Sequence, residues 1–195
     1  MSYAETIQKL NEYRAQIAAL GAEMREIQAN IEPEIVADYE FSTLDGPVAL
    51  SALFGAHDSL IMIHNMGARC RYCTLWADGF NGLVDHLQNR VAFVVSSPDS
   101  PDAQQKFAQT RGWRFRMVSH QKTSFADDMG YRDNSSDNAE DPWQPGVSVF
   151  KKNGDQIVRV SDTYLGPGDA FCAAWHLFDL LPEGPAGWAP QYRYD

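Results

Sequence analysis

The stretch Leu60-Ile-Met-Ile-His64-Asn-Met-Gly67-Ala-Arg69-Cys70-Arg71-Tyr72-Cys73-Thr-Leu-Trp76 decides the fold. Its first four residues form a short apolar run of the kind that makes a strand buried on both faces. Gly67 follows the run. From 74 to 89, Leu75, Phe80, Leu83, Val84 and Leu87 supply an approximate apolar helix face. Two cysteines therefore stand between a buried strand and the first turn of a helix. Cys70 at that place meets unpaired backbone N–H groups and the positive end of the helix dipole, which stabilise a thiolate. Arg69 and Arg71 add positive charge, weakened by water. Cys73 lies one helical turn on, on the same side. An exposed thiolate that attacks a disulfide, with a second thiol behind it to resolve the mixed disulfide, needs this layout.

Downstream, Val91-Ala-Phe-Val-Val95 is a second buried strand, closed by Ser96-Ser-Pro98. Residues 101–111 read as a helix with Pro101 in its first turn. Phe115-Arg-Met-Val118 is a short strand, and 126–145 an acidic loop or lid. Val147-Ser-Val-Phe150 and Gln156-Ile-Val-Arg-Val160 flank a turn at Gly154 as a hairpin. Residues 169–181 read as an amphipathic helix carrying Phe171, Trp175, Leu177, Phe178 and Leu181, and the tail from Pro182 as irregular. Upstream, 39–54 reads as a β-hairpin turning at Asp45-Gly46. The order predicts an α/β fold, a central mixed sheet flanked by helices.

Residues 3–31 read as one helix. Leu10, Tyr13, Ile17, Leu20, Met24, Ile27 and Ile31 recur at spacings of three and four, an a/d seam over about three heptads. Such a seam is buried either against its own domain or in a coiled-coil-like homodimer, and the expectation carried forward is the homodimer. The divisions expected are a helical arm at 1–34, a domain at 35–182 and an irregular tail at 183–195.

Composition narrows the function. Of 195 residues 44% are hydrophobic and the formal net charge is −10, so nucleic acid and anionic membranes are disfavoured partners. No apolar run is long enough to span a bilayer and no signal peptide is evident, so the expected compartment is the cytoplasm. Three cysteines are too few for a disulfide scaffold. No phosphate-binding loop, nucleophile elbow or metalloprotease helix appears, and no cofactor is expected. Zinc wants four ligands, and His64, His120 or His176 could join the cysteines only through the fold. The acidic run from Asp127-Asp128 through Asp133, Asp137, Glu140 and Asp141 lacks EF-hand spacing and reads as a solvated loop. The sequon Asn134-Ser-Ser136 matters only outside the cytoplasm. Cys172 reads as a buried structural thiol.

The chain resembles thioredoxin-like proteins and, more closely, a bacterial family of predicted dithiol-disulfide oxidoreductases of unknown function. The likeness covers most of 36–181. It rests on Tyr39-Glu-Phe-Ser-Thr-Leu-Asp-Gly46, His64, Cys70-Arg-Tyr-Cys73 with Trp76-Ala-Asp78, Gly112-Trp-Arg-Phe115, Pro145-Gly-Val-Ser-Val-Phe150, Thr163-Tyr164 and Phe178-Asp-Leu180. It implies a thioredoxin-like fold with an added N-terminal β-hairpin and long N-terminal helix. It implies a thiol-disulfide oxidoreductase acting on a disulfide-containing protein or small thiol, with an unidentified reductant as partner. Cys70 is then the nucleophile and Cys73 the resolving thiol, with Arg69, Arg71, Tyr72 and Trp76 facing substrate. Pro145 takes the place of the cis-proline that shapes the substrate groove, and His64 that of a buried acid able to relay a proton from Cys73. Here the segment from His64 to Cys70 is shorter than the family's usual one and Arg71-Tyr72 departs from its spacer, so the substrate does not carry over. Two alternatives stay open. One is a peroxiredoxin-like thiol peroxidase, whose Pro and Thr or Ser positions hold Ile63 and Gly67 here. The other is a non-catalytic partner-binding or metal-binding thioredoxin-like module.

Overall fold

A computed structural model describes residues 1–133, 135 and 142–194. Asp137, Glu140 and Asp141 of the acidic run and Asn134 and Ser136 of the sequon lie outside the described residues. Helix α1 spans Tyr3–Ala29. It opens with a capping box: Ser2 Oγ accepts the Glu5 N–H and Glu5 Oε2 accepts the Ser2 N–H. There follow β1 (Glu34–Val36), β2 (Glu40–Thr43), β3 (Gly46–Ala49), α2 (Leu50–Leu53), β4 (Ser59–His64), α3 (Arg71–Arg90), β5 (Ala92–Ser97) and α4 (Pro101–Arg111). The chain continues through β6 (Arg116–Ser119), α5 (Phe125–Asp128), β7 (Gly146–Asn153), β8 (Gln156–Tyr164) and α6 (Ala173–Phe178).

One eight-stranded sheet joins the strands in the order β1-β8-β7-β4-β5-β6-β2-β3. The crossovers through α3 and α4 make β4, β5 and β6 parallel, while β7 runs antiparallel to β4 and β8 to β7. The central strands are covered on both faces, as their unbroken apolar runs require. Side chains alternate between two cores. Leu60 and Met62 join Phe41, Leu50, Phe125, Tyr131 and Phe150 on one face. Ile63 joins Trp76, Phe80, Phe93, Phe115 and Trp175 on the other, beneath α3. Asp78 ties α3 to the end of α4: it pairs with the Arg111 guanidinium and accepts the Trp113 indole N–H at 2.8 Å.

Several expectations are corrected. Strand β1 was not anticipated; it pairs with β8, where Glu34 and Arg159 form an ion pair at 2.6 Å. The C-terminal helix shrinks to Ala173–Phe178, because the Asp169 carboxylate accepts the N–H groups of Phe171 and Cys172 and turns the chain there. The expected loop after 125 begins with the short helix α5, and 50–53 leaves the hairpin as α2. Helix α1 ends at Ala29, short of Ile31, and buries none of its residues against its own chain.

Candidate functional site

The turn that delivers the cysteines is built from side chains far apart in sequence. After His64, the Asn65 N–H donates to Ser96 O at 2.9 Å. Asn65 Oδ1 accepts the Gly67 N–H, and Asp99 Oδ2 accepts the Ala68 N–H, both at 2.7 Å. Gly67 has φ +96°, and a Cβ there would lie 2.8 Å from Asp99 Oδ2. The backbone conformation favours glycine, and a larger residue would push the Asp99 carboxylate off the Ala68 N–H. Cys70 is thereby set as the N-cap of α3. Its Sγ accepts the Cys73 N–H at 3.0 Å, and its carbonyl accepts both the N–H and the hydroxyl of Thr74 at 3.0 Å. Cys70 is half-buried and Cys73 is buried. An N–H donated to sulfur at a helix N-terminus favours the thiolate, and the difference in access separates an attacking from a resolving sulfur.

Arg69 and Arg71 are exposed at this mouth. The Arg71 guanidinium stacks 5.6 Å from the Tyr72 ring centroid, and Tyr72 stacks on Trp175 at 6.1 Å. Trp76, expected to face substrate, is 2% exposed; it packs under α6 and donates its indole N–H to Asp169 at 3.3 Å. It shapes the floor of the site and presents no surface. Tyr192, which the sequence reading passed over, donates its hydroxyl to the Arg69 carbonyl. Burial raises its pKa, and the nearby sulfurs of Cys70 and Cys73 raise it further. Asn65, Asp99 and Tyr192 carried no signal in the local pattern; each acts through a contact that only the fold creates.

Pro145 lies where expected. Gly146 pairs with His64 across β7 and β4, so Pro145 is level with Asn65 at the end of the sheet from which the cysteine turn departs. Its peptide bond is trans, against the cis expectation. Its carbonyl accepts the Leu165 N–H at 2.9 Å, so that group is already paired and not offered to a substrate strand.

His64 turns the other way. It follows Leu60 and Met62 in the alternation of β4 and so lies on the face opposite α3. Its ring stacks on Tyr131 at 3.7 Å and on Phe125 at 5.3 Å, and Nε2 shares a 2.9 Å hydrogen bond with Ser148 Oγ. Burial holds its pKa well below the ordinary histidine value. A spacing of six residues does not report strand face, and the proton relay to Cys73 loses its geometry. His120 shares this sealed region. It lies against Trp143, neither ring nitrogen has a hydrogen-bond partner among the described residues, and burial lowers its pKa to about 4. His176 is exposed and bonded to the Asp169 carbonyl. Cys172 is buried, and burial pushes its thiol pKa up. Among the described residues no group of three or more His, Cys, Asp or Glu is placed to hold a metal ion. Among them no helix is long and apolar enough to cross a membrane.

A parallel β4-β5-β6 core, antiparallel β7 and β8, and a dithiol at the start of the helix after β4 define a thioredoxin-like protein. Residues 4–192 match the family described as "Bacterial protein of unknown function (DUF899)", and the chain belongs to it. No curated protein matches the chain. Solved structures with a similar fold include peroxidoxin BcpB from Mycobacterium tuberculosis, at 23% identity and TM-score 0.56 over 68% of this chain and 84% of that one. Reduced Prx3 from Vibrio vulnificus is similar at 13% identity and TM-score 0.57, over 71% and 89%. Peroxiredoxin Q from Xanthomonas campestris is similar at 17% and 0.55, over 67% and 84%. At these identities the likeness is one of fold.

Proposed function

We propose that the chain is a thiol-disulfide oxidoreductase with Cys70 as nucleophile and Cys73 as resolving thiol. The observation that carries this reading is the cap of α3: a half-buried sulfur accepting the N–H of the sealed cysteine one turn behind it. The Cys70 thiolate attacks one sulfur of a substrate disulfide, forms a mixed disulfide and expels the first substrate thiolate. Cys73 then attacks Cys70 Sγ and expels the second. The substrate gains two electrons, and the Cys70–Cys73 pair loses them and closes as a disulfide. A thiol reductant reopens the pair. A reducing compartment such as the cytoplasm suits a pair that must return to the dithiol.

The peroxidoxin and peroxiredoxins of similar fold give a second reading, in which the Cys70 thiolate attacks a hydroperoxide, breaks its O–O bond and releases an alcohol or water. Cys73 then condenses with the resulting sulfenic acid, releasing water and closing the disulfide. Ile63 in the core and the bare Gly67 backbone offer no hydroxyl to a peroxide, which favours the disulfide reading. Turnover of a disulfide panel and a peroxide panel with wild type and Cys70→Ser tests both. Cys70-dependent reduction of disulfides supports the first reading, Cys70-dependent reduction of peroxides alone supports the second, and no difference between wild type and variant defeats both.

A further inference from the structure

Arg71, the residue after Cys70, lines an open hollow of about 660 Å³ together with Ala189, Gln191, Tyr192 and Arg193, and the Tyr192 hydroxyl lies near both sulfurs. Tyr192 and Trp188 anchor the hollow's tail residues. The Arg111 guanidinium, held by Asp78, donates to the Tyr192 carbonyl at 2.8 Å, and the Tyr192 ring meets Phe107 edge-on. Trp188 packs on Trp175 and Phe178. The Tyr192 hydroxyl closes the strap onto the Arg69 carbonyl. Among the described residues, no carboxylate forms an ion pair with Arg71 or Arg193. On a chain of net charge −10, two arginines that pair with no described carboxylate therefore line the hollow next to the Cys70 turn.

We propose that this hollow is the substrate subsite and that it takes the anionic end of a disulfide, a carboxylate a few bonds from the sulfur exchanged. The proposal rests on the oxidoreductase reading and names its substrate class. Guanidinium groups fit carboxylates geometrically, and in a protein of overall negative charge they are needed to draw in an anion at all. The same charges steady the thiolate that leaves when the mixed disulfide forms.

Alkylation of Cys70 by iodoacetate and by iodoacetamide, located by mass spectrometry on the full chain, separates charge selection from redox activity. Arg193→Gln and Arg71→Gln should each lower the iodoacetate rate about fivefold relative to iodoacetamide, and Arg193→Lys should restore much of the preference. The wild-type preference should shrink with added salt. Reduction of 5,5′-dithiobis(2-nitrobenzoate) against 2-hydroxyethyl disulfide should follow the same order. Unchanged reagent ratios in both arginine variants overturn the subsite even if disulfides turn over. A charge preference in alkylation with no disulfide turnover overturns the oxidoreductase reading and leaves the anion subsite standing.

A second observation stands apart from the site. In α1, Leu10, Tyr13, Ile17, Leu20, Met24 and Ile27 are between 42% and 74% exposed along one seam. The helix carries four acidic and three basic residues, so it is close to neutral on a strongly acidic chain and self-association there meets little repulsion. We infer that the seam is covered by the same helix of a second copy, antiparallel. Parallel pairing sets Lys9 beside the copy's Arg14, whereas antiparallel pairing centred between Ile17 and Leu20 opposes no like charges. Sedimentation at micromolar concentration should show a dimer that becomes a folded monomer with Ile17→Asp or Leu20→Asp. A wild-type monomer, or a dimer that survives both substitutions, overturns the inference.

Discussion

Two sets of titratable side chains lie at the carboxyl ends of the parallel strands, on opposite faces of the sheet, and the fold treats them differently. On the α3 face, Cys70 stays partly open and receives an N–H from Cys73. On the other face, His64 and His120 are sealed among Phe125, Tyr131 and Trp143, and three of their four ring nitrogens have no hydrogen-bond partner among the described residues. Burial alone drives a titratable group to its neutral form. At Cys70 the helix terminus offers the sulfur an N–H donor, whereas among the described residues the two buried imidazoles have Ser148 Oγ as their one hydrogen-bond partner. The proposed chemistry belongs to the face with access and a donor to sulfur.

The sharpest break would come at Cys70. Cys70→Ser should lower disulfide turnover by about a thousandfold or more, since no other thiol is placed to attack. Cys73→Ser should instead release one substrate thiol and hold the other on Cys70 as a mixed disulfide, visible by mass. Turnover surviving in Cys70→Ser would mean the wrong face has been credited.

On the histidine face the large effects should be on stability. Phe125, fully buried against both Phe41 and His64, should cost about 3–5 kcal/mol as Phe125→Ala by urea unfolding, with activity per folded molecule kept. Acid comes next. His120 has a folded pKa of about 4 and His64 one well below 6.5. The unfolded chain therefore binds protons that the folded chain refuses. Stability is complete above about pH 6.5 and falls as pH drops toward 4, by about 3 kcal/mol from His120 alone. Urea midpoints at pH 7 and 4.5 should show the loss, and His120→Leu should flatten it; a slope unchanged in that variant would show that carboxylates carry the acid response.

Smaller effects sharpen the contrast. The Tyr131 hydroxyl donates to the carbonyls of Val147 and Thr163 at 3.1 Å, so Tyr131→Phe should cost about 1 kcal/mol. His64→Gln should change the rate and pH profile of disulfide exchange less than about twofold, because the ring lies on the far face. A shifted profile would return His64 to a proton-relay role.

Much of the site was legible because its logic is local. Strand alternation, an N-cap and a contact from residue i to i+3 are short-range events, so Leu60–Ile63, Cys70 and Cys73 report their own placement. Residues 101–111 likewise announce their helix, with Ser100 as cap, Pro101 at the first turn and Gly112 in the left-handed conformation at the end. Other parts depend on partners distant in the chain. Asp99 meets Ala68 across 31 residues, and Tyr192 meets Arg69 across 123. The trans bond and paired carbonyl of Pro145 depend on Leu165, which no pattern around Pro145 reveals.

By itself the sequence determined an α/β domain, two cysteines at a helix start and an apolar seam along the arm, because periodicity and capping act within a few residues, while the thioredoxin-like likeness rested on matched motifs. Only the tertiary structure decided that His64 faces away from the sulfurs, that Trp76 is floor and not surface, and that the tail returns to set Tyr192 against Arg69 and Arg193 in one hollow with Arg71. Those outcomes turn on which side of the sheet a side chain enters and on what packs against it there.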